Sequence, residues 1–250
     1  MSLDTVRIVL VRPQGAANVG AAARAMKNMG LADLLLVGAR PARTFWSRAM
    51  AVHAADVLDR VRVTDTLPEA VADCGLVVGT TARQGGYRTA AEPLRTVAPR
   101  LVAAAAGNRV ALVFGPEDHG LSTADLMHCQ QLLTVPANPA YPSLNLAQAV
   151  MVCCYELAMA AAEPVAAAVT WAAADRLEQM FAHLQRAFLA IGFLHPENPD
   201  HIMLALRQLL GRTQLDEREV RIFMALARQI EWSARRSAGA PPPATAPAAR

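Results

Sequence analysis

The chain has 250 residues, room for one large domain or an ordinary one plus a small one; 54% are hydrophobic but only 5% aromatic, with alanine supplying much of the apolar excess. Charges interrupt every apolar stretch before it reaches the length of a membrane span. The formal net charge is only +3, with 14 basic and 12 acidic side chains in residues 1–160 and 10 and 9 in residues 161–250, so bulk charge does not announce a nucleic-acid partner.

The opening segment, MSLDTVRIVLVRPQG, has an early acidic residue and no small-residue cleavage site after its apolar run, so no signal peptide is expected. VRIVLV (6–11) predicts a strand. ANVGAAARAMKNMG (17–30) predicts a helix closed by Gly30. LLLVG (34–38) reads as a strand, TFWSRAMAVHAADVLD (44–59) as a helix, VRV (61–63) as a short strand and TLPEAVADC as a short helix. LVVGTT (76–81) and VALVFG (110–115) are continuous apolar strands, with EPLRTVAPRLVAAAAG (92–107) a helix between them. LLTVP (132–136) is another strand, and a helix follows from about Leu146 to Ala162. Strands apolar throughout, alternating with helices, indicate an α/β fold whose parallel sheet is covered on both faces.

Residues 163–170 read as a linker and 171–236 as a domain of three amphipathic helices, with Asp216 and Glu219 spaced as a capping box. Residues 237–250, rich in Pro and Ala, are expected to be disordered. Cys74, Cys129, Cys153 and Cys154 contain no CxxC pair, so buried free thiols of a cytosolic protein are expected, with no metal site or disulfide framework. Of the 24 basic residues only Lys27 is lysine. Arginine suits bidentate phosphate contacts, although a biased genome composition is the simpler reason for the count.

Ligands of open parallel sheets bind beyond the carboxyl ends of the strands. RPQGAANVGAAARAMKNMG, FGPEDHGLS and VPANPAYPSLN occupy that edge. A Rossmann loop is excluded, because GxGxxG is absent and Arg40 stands where a ribose-binding acid would end the second strand; no GxxxxGK[ST] P-loop occurs either. Gly115 and Gly120 would let backbone approach a ligand closely. Glu117 sits at a helix start, where its charge is favourable. His119 is either a base or an exposed loop histidine. Asn18 contacts substrate or caps its helix, and Ser143 and Asn145 are N-cap residues beside an anion-binding helix terminus. Arg24 interrupts a run of small residues and needs an anion, a carbonyl, a salt bridge or solvent.

NVGAAARAMKNMG, FGPEDHGLS and VPANPAYPSLNLAQAV, in that order and strand context, resemble the three motifs of the SpoU/TrmH family of RNA ribose methyltransferases, within the SPOUT class, over about residues 5–160. PSLNLAQAVMVCCYEL, FWSRAMAVHAADVLD, GTTARQ and HIMLALRQLLGRTQLDEREVRIFMALARQIE are similar to its TrmJ subfamily, which methylates the ribose of nucleotide 32 in the tRNA anticodon loop. The resemblance implies a methyltransferase domain over 1–162, with a parallel sheet and a C-terminal deep trefoil knot, in a cytoplasmic homodimer whose sites are each completed by the partner subunit. It implies S-adenosylmethionine as methyl donor and S-adenosylhomocysteine as product, no metal, and tRNA as substrate. Ribosomal RNA and a catalytically silent RNA-binding SPOUT protein are the alternatives.

Residue by residue, the resemblance assigns Arg24 to the family's catalytic arginine, as base or as stabiliser of the developing alkoxide. Asn18 would position Arg24 or the ribose, while Glu117, Ser143 and Asn145 shape the reaction centre. The cofactor would be held by a turn at Gly79 and Thr80, by Thr81, by Gly115, Glu117, Gly120 and Leu121, and by Val135, Pro136, Ser143, Leu144 and Asn145. Arg83, with Arg12 and Arg88 as further candidates, would hold RNA phosphates. Asp118 and His119 depart from the pattern, His119 standing where many relatives carry Arg or Lys, which removes one phosphate contact.

Overall fold

The computed structural model describes residues 3–38, 44–82, 91–162 and 170–237. In chain order the strands are β1 (Val6–Val11), β2 (Asp33–Val37), β3 (Arg62–Thr64), β4 (Leu76–Thr80), β5 (Glu92–Pro93), β6 (Val110–Phe114) and β7 (Gln131–Thr134). They form one sheet in the order β3-β2-β1-β6-β4-β7-β5, and every registered pair is parallel. All carboxyl ends therefore open on one edge. β7 follows β5 in the chain yet lies between β4 and β5.

The sheet is buried on both faces because its strands are apolar at successive positions. Val6, Ile8 and Leu10 of β1 pack with α1 (Ala16–Asn28), α3 (Ala55–Asp59), α5 (Leu94–Ala105) and α7 (Leu146–Ala162). Val9 and Val11 face the other way, toward α4 (Leu67–Val71) and α6 (Thr123–Leu126). Helix α1 ends as its sequence predicts. Gly30 has φ +78°, its amide donates to Lys27 O at 3.2 Å, and the Leu31 amide donates to Met26 O at 2.9 Å, a Schellman closure.

Two expected elements differ. The helix expected over 44–59 is divided into α2 (Phe45–Ala51), a single 3-10 turn (Val52–Ala54) and α3, with Val52 at φ +53°. The helix expected from residue 92 begins at Leu94, because Glu92 and Pro93 pair with Leu133 and Thr134 as a seventh strand.

A charged residue is the second of β1. Arg7 is 1% exposed. Its guanidinium donates to Asp33 at 2.9 Å, to Ala70 O at 2.7 Å and to Asp73 at 2.6 and 3.1 Å, while Arg109 pairs with the same Asp73. Partial burial opposes the charge of Asp73, but Arg7 and Arg109 outweigh it and hold the carboxyl at about 2.

The remaining helices, α8 (Ala174–Ala190), α9 (Pro199–Gly211) and α10 (Glu217–Ser237), have a core of their own around Phe181, Leu184, Met203, Val220 and Met224. Asp216 and Glu219 close the capping box that their spacing predicts, at 2.8 and 2.9 Å. These helices rest on the sheet domain. The amides of Ala174 and Asp175 donate to Cys74 O and Ala72 O at 2.5 and 3.1 Å, and Arg207 reaches Met127 O at 3.2 Å. Residues 163–169 of the expected linker, and 238–250 of the expected tail, lie outside the described residues.

Candidate active site

Three loops leave the carboxyl edge of the sheet side by side, after β1, β6 and β7. The loop after β6 folds back on itself. A Cβ on Gly115 would lie 2.2 Å from Gly120 C and from Leu121 N. Gly120 has φ +67°, and its amide donates to Pro116 O at 2.9 Å. Gly115 is thus required by the loop's own backbone. Glu117 lies in this loop, outside α6, so it does not start its own helix. It stands instead beside the N-terminal end of α1. Its carboxylate accepts the Gln14 amide at 2.9 Å, the Gly15 amide at 3.2 Å and Asn18 Nδ2 at 2.7 Å. Partial burial opposes its charge, and the Gln14 amide and Asn18 amide outweigh it, holding the carboxyl below the ordinary glutamate range.

Asn18 does not cap its helix, since Gly15 occupies that position. Its Nδ2 is committed to Glu117, and its Oδ1 accepts Asn145 Nδ2 at 3.0 Å. Asn145 is the cap of α7. Its Oδ1 accepts the amides of Ala147 and Gln148, and Gln148 Oε1 accepts the Asn145 amide in return. A side chain from the loop after β6, one from the first turn of α1 and one at the start of α7 are therefore joined in a relay, Glu117 to Asn18 to Asn145. Ser143, the other candidate cap, makes no hydrogen bond among the described residues and is exposed.

The loops enclose a cavity of about 340 Å³. Of the expected cofactor residues, Thr80, Thr81, Gly115, Glu117, Gly120, Leu121, Val135, Ser143 and Leu144 line it. Gly79, Pro136 and Asn145 do not. The turn expected at Gly79 and Thr80 is the last part of strand β4, where a Cβ on Gly79 would meet Cys129 Sγ and a Leu132 methyl at 2.9 Å. Gly79 is a packing requirement. Thr80 Oγ1 donates to Val113 O and the Thr81 amide to Leu133 O, at 3.0 and 2.9 Å, so part of their hydrogen-bonding capacity is taken.

Arg24 lies two turns along α1 from Asn18. It is exposed, lines no part of this cavity, and has no ion-pair partner among the described residues. Arg12, at φ +46°, donates to Asp125 at 2.6 Å, which ties the end of β1 to α6 and commits part of its guanidinium. Arg83, Arg88 and Arg40 lie outside the described residues. His119 is exposed and lines the cavity. Its Nδ1 lies 2.5 Å from Asp118, whose other oxygen accepts Gln14 Nε2 at 2.7 Å. The roles of Gln14 and Asp118 were not visible in the sequence, because their contact spans 104 positions.

A parallel sheet with three glycine-, proline- and asparagine-rich loops over a cavity at its carboxyl edge is an α/β domain with a ligand site at that edge, and its relatives are methyltransferases of the SPOUT class. The chain belongs to the SpoU rRNA Methylase family, whose profile matches residues 5–155. A second profile, the C-terminal domain of tRNA methyltransferase TrmJ, matches residues 175–239. The chain is 39% identical over 247 residues to "tRNA (cytidine/uridine/adenosine-2'-O-)-methyltransferase TrmJ" of Pseudomonas aeruginosa strain UCBPP-PA14, covering 93% of this chain and 96% of that protein. It is 40% identical over 239 residues to "tRNA (cytidine/uridine-2'-O-)-methyltransferase TrmJ" of Escherichia coli strain K12, covering 92% and 96%. The crystal structure of TrmJ from Z. mobilis ZM4 superposes with a TM-score of 0.78 at 36% identity, over 90% of this chain and 98% of that one.

Proposed function

We propose that this protein transfers a methyl group from S-adenosylmethionine to a ribose 2'-hydroxyl of tRNA, at nucleotide 32 of the anticodon loop. The observation that carries this is the relay from Glu117 through Asn18 to Asn145, which joins all three motifs beside one cavity. The cavity suits the donor. Its volume lies within the usual range for small-molecule sites, about 300–1,000 Å³. Leu121, Val135 and Leu144 give apolar wall, and Glu117 and Asp118 in the same lining place negative charge near a ligand that is cationic at its sulfur and amino groups.

S-adenosylmethionine supplies an electrophilic methyl group, so the protein's task is to orient the hydroxyl and manage its proton. Arg24, unpaired among the described residues and outside the cavity of its own chain, takes the ribose oxygen at the cavity of the second subunit in the homodimer of this reading and stabilises its developing negative charge. A guanidinium gives up its proton reluctantly, which makes this role more accessible than that of base. Asn18 and Glu117 act through α1 as positioning residues. Ser143, exposed and without an internal partner, is available to cofactor or ribose. Five exposed arginines of α10, Arg218, Arg221, Arg228, Arg235 and Arg236, outnumber its exposed acids Glu217 and Glu219 and support RNA binding by a region that is neutral in total.

Assembly as a cytoplasmic homodimer belongs to the same reading. Phe45 and Trp46, 77% and 65% exposed, and Met50 form an apolar face on α2, which packs against the helix of Arg24. A C-terminal trefoil knot is supported by the insertion of β7 between two strands made earlier.

The test is methyl transfer from tritiated S-adenosylmethionine to bulk tRNA and rRNA from a strain lacking this gene, with nuclease mapping of the label. Label on a ribose in the anticodon loop is the expected outcome. Label in rRNA alone would overturn the substrate; binding of tRNA without cofactor binding or transfer would replace the enzyme with a silent RNA binder. Arg24→Ala is expected to abolish transfer while leaving cofactor binding intact, and full activity in that variant would remove Arg24 from the reaction.

A further inference from the structure

Tyr141 is the most exposed large apolar side chain among the described residues, at 79%. It stands on a constrained turn. Pro139 and Pro142 flank it at a distance of two residues and one. The Tyr141 amide donates to Asn138 O at 2.8 Å, and the Ala140 amide donates to Asn138 Oδ1 at 2.9 Å. Among the described residues no ring or cation stacks on it. The next three residues, Pro142, Ser143 and Leu144, are wall of the cavity, and Asn145 after them is held to Asn18. An aromatic ring is thus fixed in solvent at the rim of the reaction centre.

An RNA loop nucleotide whose ribose enters a protein cavity leaves its stack, and its base needs a new π-surface. From these two facts we infer that Tyr141 is the stacking platform for the base of the nucleotide being methylated, and that it sets the ribose against the cavity rim. The inference rests on the 2'-O-ribose transfer proposed above and names how that site holds its RNA. It has a consequence for selectivity. A platform meets the face of the base and reads none of its hydrogen-bonding edges, so purines and pyrimidines are accepted alike. Tyr141 is a positioning residue here: it touches the base, and the hydroxyl is handled by others.

The experiment uses the full chain and tRNA transcripts carrying cytidine, uridine, adenosine or 2-aminopurine at the mapped nucleotide. Removing one stacked ring should lower kcat/KM for RNA by about 5- to 150-fold. Tyr141→Ala should show that loss for cytidine, uridine and adenosine alike, with S-adenosylmethionine affinity unchanged by equilibrium dialysis. Tyr141→Phe and Tyr141→Trp should restore most of it. The 2-aminopurine fluorescence should be quenched on binding to wild type and to Tyr141→Phe, and enhanced on binding to Tyr141→Ala. Weaker cofactor binding in Tyr141→Ala would overturn the inference by making the ring a cofactor contact. Failure of Tyr141→Phe to rescue would assign the effect to the hydroxyl and overturn it too. If wild type methylates tRNA and Tyr141→Ala does so equally well, the platform falls and the enzyme reading stands; if wild type methylates no RNA, both fall.

Discussion

Glu117 accepts three donors from a single turn of chain and thereby decides which way Asn18 points. Were the amide of Asn18 turned over, its oxygen would face a carboxylate and its NH₂ would face the NH₂ of Asn145. Glu117→Gln replaces an oxygen by a donor opposite existing N–H groups. The variant should lose about 1–3 kcal/mol of stability. Misplacement of α1 should lower kcat by about 10- to 100-fold. Urea unfolding and steady-state transfer at saturating cofactor check both, and an unchanged kcat would show that the relay serves folding alone. At the opposite end of the sheet, Asp73 is held at about 2 against an ordinary 3.8. A depressed carboxyl contributes stability that is present above its unfolded value and is lost as pH falls through the folded one. The urea midpoint should therefore decline below about pH 4 toward pH 2. Asp73→Asn should lower the midpoint above pH 4 and flatten that decline, with the difference between the two profiles isolating this carboxyl from the others.

The contact between α1 and α2 is made at a point where no side chain fits. A Cβ on Gly20 would lie 2.0 Å from Ser47 O, so Gly20→Ala must push the helices apart, at a cost of about 1–3 kcal/mol or more. Thermal unfolding measures this, and an unchanged midpoint would mean that α2 shifts freely. Such contacts mark where sequence reading stops. Runs such as VRIVLV and VALVF are legible because a strand buried on both faces is apolar throughout. Gly30 is legible because a helix end needs a left-handed residue. The break at Val52 is not, since AMAVHAAD contains neither glycine nor proline and the kink belongs to packing between elements. Strand β5 is two residues long and exists only because β7 lies beside it. Arg7 reads as an interruption of an apolar run, and its partners Asp33 and Asp73 are 26 and 66 positions away. In the site, the three loops could be found from their motifs, but the bond between Asn145 and Asn18, 127 positions apart, could not. Gly79 and Gly115 drew attention as ligand positions; Gly115 lines the cavity and is also held by its own loop, while Gly79 meets protein and does not line it.

The apolar face of α2 is the candidate interface of the proposed homodimer. Phe45 and Trp46 meet edge to face, with centroids 5.5 Å apart, and stay in solvent in a single chain. If the proposed homodimer forms through this face, charge placed there as Phe45→Glu with Trp46→Glu should give monomers in sedimentation, reduce methyl transfer and spare cofactor binding. Retention of the dimer would place the interface elsewhere. The four cysteines are free and buried, and burial pushes each thiol well above its ordinary range, to about 12 for Cys74 and Cys154.

The position of β7 also constrains how the molecule comes to exist. During synthesis β4 and β5 leave the ribosome before the strand that separates them, so the half-made sheet must keep an open slot one strand wide. Closing that slot early, by pairing β4 with β5 directly, would give a compact but wrong sheet with no room for the segment that carries Ser143 and Asn145. The order of birth and the order in space disagree, and long-range parallel pairing of this kind is slow to form. The enzyme's cavity is therefore among the last parts of the sheet domain to be shaped, and a nascent protein arrested before residue 131 has most of that domain's core and an open, unfinished site.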